Sequence, residues 1–368
     1  MIKPRSAVTT LSFVPHGAIT PAELARLGLH RQDVVDFSVS VNPYGPAPAV
    51  IQALTAVNLA RYPDPNSDAL RQALAVQHHL SVEHILVGNG ATELLWLVAL
   101  AFLEPGDAAL VLGPTFGEYA RVGRMMGARI ITWQAHTQRT FAIETDLVAT
   151  YLNRYHPRLV FACHPNNPTG QLLPLKALAT WAAACPETLF VVDEAYLLFA
   201  PAARSAQTMA APNVLTIHSM TKAQALAGLR LGYALGPKSI IAALKRVQPP
   251  WSVNAMAQAA GLAALQHRSY QRRTLEQLVH HKATLVQALQ GAGWQPVPSA
   301  THFFLLPVAN AAHCRTRLLR HGVVVRDASS FGLPRHIRIA ARMPHENERL
   351  LAALTAVHPR KKRPNALE

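Results

Sequence analysis

The sequence predicts an α/β fold in which a large unit carries a mostly parallel sheet between helices and a smaller α+β unit completes the chain. From residue 50 to about 236, short apolar runs alternate with segments of helical spacing, which is how a chain builds parallel strands joined by crossover helices. The runs stop at polar, Gly or Pro positions, as strands buried on both faces do. A length of 368 residues also exceeds what one hydrophobic core usually organises, so a second unit is expected.

Taken in order, residues 1–20 contain Pro4, Arg5, Pro15 and His16 and no apolar stretch of the signal-peptide kind, so a cytoplasmic protein is expected. The segment up to Asn42 has too little apolar periodicity to fold alone and is expected to pack on the C-terminal unit. Residues 68–79 read as a helix, 85–87 as a short strand and 92–102 as an apolar helix. Residues 108–112, 159–162, 189–192 and 214–217 read as buried strands of the large unit, which is placed at 45–249. Residues 251–291 are rich in Ala, Gln and Leu and read as helical, while 303–307, 323–326 and 337–340 read as strands of a second sheet. The small unit is therefore residues 1–44 and 250–368, ending in a basic tail at 358–368. In such sheets, functional residues sit beyond the carboxyl ends of the strands.

Composition narrows the function. Half of the residues are hydrophobic and 15% are charged, which excludes a disordered chain. Lys and Arg outnumber Asp and Glu by 35 to 20, a net +15 that directs attention to anionic and phosphorylated ligands. Nucleic acid is disfavoured as the partner, because no helix-turn-helix, zinc-finger or RNA-recognition signature accompanies the charge. The three cysteines, Cys163, Cys185 and Cys314, have no metal-ligand spacing and fit reduced thiols, so no metal is expected. No apolar run reaches the ~18 residues that span a bilayer, since 94–103 is bracketed by Glu93 and Glu104.

Four strand ends carry chemistry. Asp193 follows the apolar run 189–192, where a poorly solvated carboxylate needs a cationic partner. Lys222 lies between small hydroxyls and the apolar run 223–229, the setting in which a lysine becomes a nucleophile toward carbonyls. Arg230, Ser219 and Thr221 can supply a guanidinium and two hydroxyls to a phosphate. The turn Gly88-Asn89-Gly90-Ala91 opens a helix whose N-terminal amides would face an anion. A dinucleotide site is discounted there, because Glu93 replaces the third glycine. Ser219-Met220-Thr221-Lys222 fits a Ser-x-x-Lys pattern too, but its companion Lys-Thr-Gly and Ser-Asp-Asn motifs are missing.

Asn166-Asn167-Pro168-Thr169-Gly170, Asp193-Glu194-Ala195-Tyr196, Ser219-Met220-Thr221-Lys222 and Gly228-Leu229-Arg230-Leu231-Gly232-Tyr233 occur in this order, each at a strand end. The order resembles that of fold-type I pyridoxal-phosphate enzymes of the class I and II aminotransferase family, over residues 16–354. The resemblance implies pyridoxal 5'-phosphate as cofactor, carried by Lys222, which also moves the proton at the substrate's alpha carbon. It implies that Asp193 pairs with the ring nitrogen, that Asn167 and Tyr196 donate to the ring's phenolic oxygen and that Phe116 stacks on the ring. Gly90, Ala91, Ser219, Thr221 and Arg230 match the cofactor-phosphate site. Tyr62 matches a tyrosine that reaches the cofactor phosphate of a neighbouring subunit, so a homodimer with shared sites is implied. Arg338 matches the arginine that grips a substrate carboxylate.

Two branches of the family act on phosphate monoesters, the histidinol-phosphate aminotransferases and the L-threonine O-3-phosphate decarboxylases of cobalamin synthesis. His16-Gly17, Asp36-Phe37-Ser38, Asn42-Pro43, Phe116-Gly117-Glu118-Tyr119 and Trp251-Ser252 resemble the decarboxylases more, although Ala18 and His164 depart from that pattern. Decarboxylation is thus the first expectation and amino transfer the alternative. His16, Asn42, Arg326 and Arg342 join Arg338 as expected substrate contacts, with no basis for ordering the basic residues.

Overall fold

A computed structural model describes residues 2–9, 11 and 13–358. Its strands, in chain order, are β1 (Val35–Asp36), β2 (Ile85–Gly88), β3 (Ala108–Gly113), β4 (Arg129–Gln134), β5 (Leu159–Cys163), β6 (Leu189–Asp193), β7 (Val214–Ser219), β8 (Gly232–Leu235), β9 (Phe303–Pro307), β10 (Val323–Val324), β11 (Arg326–Asp327) and β12 (His336–Ala340). Seven form one sheet in the order β2-β8-β7-β6-β5-β3-β4. All run parallel except β8, which is antiparallel to both β2 and β7. The carboxyl ends of β2, β3, β5, β6 and β7 therefore share one edge, and the chain enters β8 at that edge.

The apolar runs form central strands because both faces are covered. Leu159 and Phe161 of β5, with Leu189 and Val191 of β6, pack on one face with Leu94 and Val98 of the helix Gly90–Phe102. Their alternates Val160, Phe190 and Val192 pack on the other with Val148, Leu152, Leu178 and Trp181. Successive side chains of a strand point to opposite faces, so a strand buried on both reads as continuous apolar sequence. Strand β4, on the edge, escapes that pattern and buries only Trp133 of its six residues, while β8 is buried throughout but short and opens on Gly232.

The three-stranded sheet β11-β12-β9 is antiparallel and lies over a second core that includes Phe303, Ile337, Ile339, Leu350 and Leu354. The N-terminal segment joins that core: β1 pairs in parallel with β10, and Phe37 is fully buried among the same side chains. Residues 323–326, expected as one strand, divide at Val325. Val323 and Val324 pair with β1, while Arg326 and Asp327 pair with β12, because the N-terminal segment occupies one partner edge and β12 the other. Residues 251–291 form two helices, Ala255–Gln266 and Arg268–Gly291, interrupted at His267. Among the described residues, no helix is long and apolar enough to cross a membrane. The basic tail lies outside the described residues beyond His358.

Candidate active site

A cavity of about 480 Å³ opens at the shared carboxyl edge of the sheet. At its floor, β6 delivers Asp193 and β7 delivers Ser219, Thr221 and Lys222. Asp193 is buried; its Oδ2 accepts from the Tyr119 hydroxyl at 2.7 Å and its Oδ1 from the Ala195 N–H at 2.9 Å. Burial pushes the carboxyl's pKa up, against the lowering effect of those bonds and of Lys222. Tyr119 is held in turn by parallel stacking on Phe161, with centroids 5.5 Å apart. Burial pushes the Lys222 amine down to about 8, aided by Arg338 and Arg230 and opposed by Asp193. Such an amine is neutral far more often than a solvated one near neutral pH.

Beside Lys222, the start of the helix Gly90–Phe102 faces Arg230. Gly90 has φ +79°, and a Cβ built there would lie 2.8 Å from Arg230 Nη2. A Cβ on Gly232 would meet the Ala91 nitrogen at 2.7 Å, so two glycines allow the helix start and the arginine turn to close on one another. The Glu93 carboxylate accepts from the Asn89 N–H at 2.7 Å and fixes the turn. Ala91, Thr92, Ser219, Thr221 and Arg230 line this end of the cavity, and the Ser219 and Thr221 hydroxyls lie 2.6 Å apart. Amides of a helix N-terminus with hydroxyls and a guanidinium make a cradle for a phosphate.

The opposite wall comes from β11, β12 and the N-terminal segment. Arg338 donates from Nη1 to Asn167 Oδ1 and from Nη2 to the Ser38 carbonyl at 2.6 Å, while its buried Nε has no hydrogen-bond partner among the described residues. Its guanidinium lies 5.2 Å from the Phe303 ring centroid. Tyr196 packs edge-on against Phe303, and burial pushes its hydroxyl up to about 12. Arg326 donates to the carbonyls of His16 at 2.8 Å and Pro15 at 2.6 Å. Burial, with Arg338 beside it, pushes Arg326 down to about 10. Phe116 lines the cavity 5.7 Å from Tyr119, with the His16 ring 5.8 Å away.

Two expected substrate contacts lie elsewhere. Asn42 is buried behind the cavity, where its amide donates to the Ala223 carbonyl and Thr274 hydroxyl and its backbone N–H donates to the Lys222 carbonyl. It braces the lysine segment and faces no substrate space. Arg342 binds Glu346 at 2.8 Å and the Asp36 carbonyl at 3.3 Å, at the start of the helix Pro344–Val357 and away from the cavity lining. Tyr62 is 81% exposed, its ring 4.8 Å from that of Trp251, and it faces out of this chain's own cavity. Of the two departures from the decarboxylase pattern, His164 is tied to the Arg204 carbonyl and the Leu173 N–H, outside the lining, and Ala18 takes a φ of +88° beside Gly17. Sequence reasoning passed over Tyr119 and Glu118 as site residues, although both stand in the quoted Phe116-Gly117-Glu118-Tyr119 run.

A buried carboxylate, a lysine whose pKa burial lowers and a phosphate cradle at one end of the sheet fit pyridoxal phosphate. The family model described as aminotransferase class I and II matches residues 32–354. The chain belongs to this family. As a class I and II aminotransferase family member it is a pyridoxal-phosphate-dependent enzyme. It is 36% identical over 345 residues to histidinol-phosphate aminotransferase 2 of Ralstonia nicotianae, covering 90% of this chain and 91% of the relative. Its structure is similar to that of histidinol-phosphate aminotransferase from Sinorhizobium meliloti in complex with pyridoxal-5'-phosphate, with a TM-score of 0.86 and 25% identity over 97% of this chain and 98% of that one. L-threonine-O-3-phosphate decarboxylase from Porphyromonas gingivalis gives a TM-score of 0.77 and 28% identity, over 88% and 99% of the two chains.

Proposed function

We propose that this family member transfers the amino group of L-histidinol phosphate to 2-oxoglutarate. The observation that carries the reading is the 36% identity, along nine-tenths of both chains, to a histidinol-phosphate aminotransferase. The cavity chemistry supports it. Arg326 and Arg338 can accept the phosphate of one substrate and then the carboxylates of the other, which bidentate arginines do well.

In this reading Lys222 carries the cofactor and moves a proton at the substrate carbon that bears the amine, a task suited to an amine pushed down to about 8. Asp193, fixed by Tyr119, would keep the ring nitrogen protonated. Asn167 and Tyr196 would serve the phenolic oxygen, Phe116 would pack on the ring, and Gly90, Ala91, Ser219, Thr221 and Arg230 would hold the phosphate. When bound, pyridoxal phosphate supplies a sink into which electrons from a broken bond at the substrate carbon can spread. His16, Arg326 and Arg338, which line the cavity, would face the phosphate of the substrate, and the two arginines the carboxylates of 2-oxoglutarate. The outward position of Tyr62 supports a homodimer in which it reaches the partner's cofactor phosphate. The same reading has a large unit at 45–249, a small one at 1–44 and 250–368, and a cytoplasmic location.

Decarboxylation of L-threonine O-3-phosphate is the second reading, favoured by the 28% identity to a decarboxylase structure. Purified holo-protein given histidinol phosphate and 2-oxoglutarate should release glutamate. Carbon dioxide from L-threonine O-3-phosphate, with no glutamate from the first mixture, would transfer the assignment to the decarboxylase.

A further inference from the structure

Tyr62 is 81% exposed, and among the described residues its hydroxyl makes no hydrogen bond. A phenol left to itself in solvent samples several rotamers, and fixing one of them costs entropy. The ring of Tyr62 packs on that of Trp251, with centroids 4.8 Å apart and planes tilted by 31°. Trp251 is itself 46% exposed, yet its backbone holds φ at +53°, a region that bulky residues avoid. Such a conformation persists only where the surroundings dictate it, and it concentrates at functional positions.

The surroundings of Trp251 do dictate it, because three polar side chains fasten the segment that follows the helix Lys238–Val247. The Ser252 hydroxyl donates to Glu93 Oε2 at 3.3 Å, the same oxygen that accepts from the Asn89 N–H and fixes the turn of the phosphate cradle. The Asn254 amide donates to the Leu229 carbonyl at 3.3 Å, one residue before Arg230. The Gln258 amide donates to the Val253 carbonyl at 3.0 Å and to the Asp64 carbonyl at 2.8 Å, which joins the Tyr62 loop to the Trp251 turn. The backbone around the tryptophan is thus built onto the cradle of its own chain, while its ring braces a tyrosine that faces away from that cradle.

We propose that Trp251 is a positioning residue that holds Tyr62 in the rotamer reaching the cofactor phosphate of the partner subunit, an assignment that rests on the reading of Tyr62 as a shared-site residue. A phenol ordered beforehand meets the phosphate without first losing rotamer freedom, so more of its hydrogen bond appears as affinity. Packing between the rings engages the apolar body of the tyrosine and leaves its hydroxyl free to donate. Each cofactor phosphate of the dimer then lies between the cradle of one chain and a tyrosine braced on the cradle of the other.

The test is the rate at which holoenzyme loses pyridoxal phosphate on dialysis, followed as decay of the visible band. Trp251→Gly removes the ring and suits the left-handed backbone. It should speed the loss about three- to tenfold, the range an aromatic pair supplies. Trp251→Phe keeps a ring for Tyr62 to pack on and should stay within about twofold of wild type. In a Tyr62→Phe background, which lacks the hydroxyl to be aimed, Trp251→Gly should add nothing, whereas a merely structural role would speed the loss equally in both backgrounds. An unchanged rate in Trp251→Gly, or equal acceleration in the two backgrounds, overturns the proposal. With Tyr62→Phe alone speeding the loss, such a result leaves the shared-site reading standing. A rate untouched by Tyr62→Phe overturns that reading and the proposal together. Should the Gly variant not fold, Trp251→Leu removes the aromatic ring while keeping an apolar side chain and carries the same expectation.

Discussion

Arg326 and Arg338 stand directly opposite each other across β11 and β12, paired Cα to Cα in an antiparallel register. Side chains at such positions share one face of the sheet, and like charges placed there repel. Both are buried or nearly so, at 9% and 5% exposure, and among the described residues no acidic side chain hydrogen-bonds to either. Their donors go instead to carbonyls of Pro15, His16 and Ser38, to the Ser330 hydroxyl and to Asn167. A pair of this kind holds repulsion that an anion relieves, which is why the wall suits phosphate and carboxylate ends.

Replacing one member tests that account. Arg338→Gln removes a charged, planar donor set, and hydrogen bonds to charged groups contribute about 1.5–3 kcal/mol. The KM for 2-oxoglutarate should rise by about 10- to 150-fold, with the cofactor's visible band retained. Steady-state kinetics over a wide range of 2-oxoglutarate checks it.

Tyr119 should matter to the cofactor through Asp193. Tyr119→Phe deletes the hydroxyl bonded to Oδ2 at 2.7 Å and leaves a buried acceptor with one partner fewer, a loss of about 1–3 kcal/mol. Because that bond lowers the carboxyl's pKa, its removal raises it further and weakens the charge offered to the ring nitrogen. The expected outcome is a lower kcat and faster cofactor loss on dialysis, while circular dichroism stays unchanged.

Much of this architecture was legible in sequence, for physical reasons that also mark where legibility ended. The run 189–192 closing on Asp193 announces a buried strand and a strand-end carboxylate at once. The strand β4 was not legible, since an edge strand with one buried residue alternates weakly, and β8 hides behind its opening glycine. Resemblance located Asn42 and Arg342 in the chain but not the direction of their side chains, and both turned to local partners. The opposition of Arg326 and Arg338 depends on the break at Val325, which only the competing pairing of β1 creates.

Gly90 offers a backbone test. Ala there must hold φ at +79°, which costs an L-residue about 1–2 kcal/mol, and its methyl displaces the mobile end of Arg230. Gly90→Ala should therefore lower the Tm by a few degrees. It should weaken pyridoxal phosphate binding by more than that stability change accounts for, as equilibrium dialysis of the apo-protein can show.

The amine of Lys222 supplies a pH dependence. With its pKa pushed down to about 8 by burial, the neutral nucleophilic form is about one-tenth populated at pH 7. Capture of pyridoxal phosphate by the apo-protein should accelerate as pH rises toward about 8 and then level. An unshifted lysine would keep accelerating to above pH 10. Stopped-flow absorbance across that range distinguishes the two, and Lys222→Ala should abolish the signal altogether.

The central claim is amino transfer from a phosphorylated amine, and a single turnover tests it most directly. Holo-protein mixed with L-histidinol phosphate and no keto acid should lose the visible band of its bound cofactor while forming one equivalent of ketone per site, and 2-oxoglutarate should then restore the band. A band that survives L-histidinol phosphate unchanged, alongside catalytic release of carbon dioxide from L-threonine O-3-phosphate, would contradict the account.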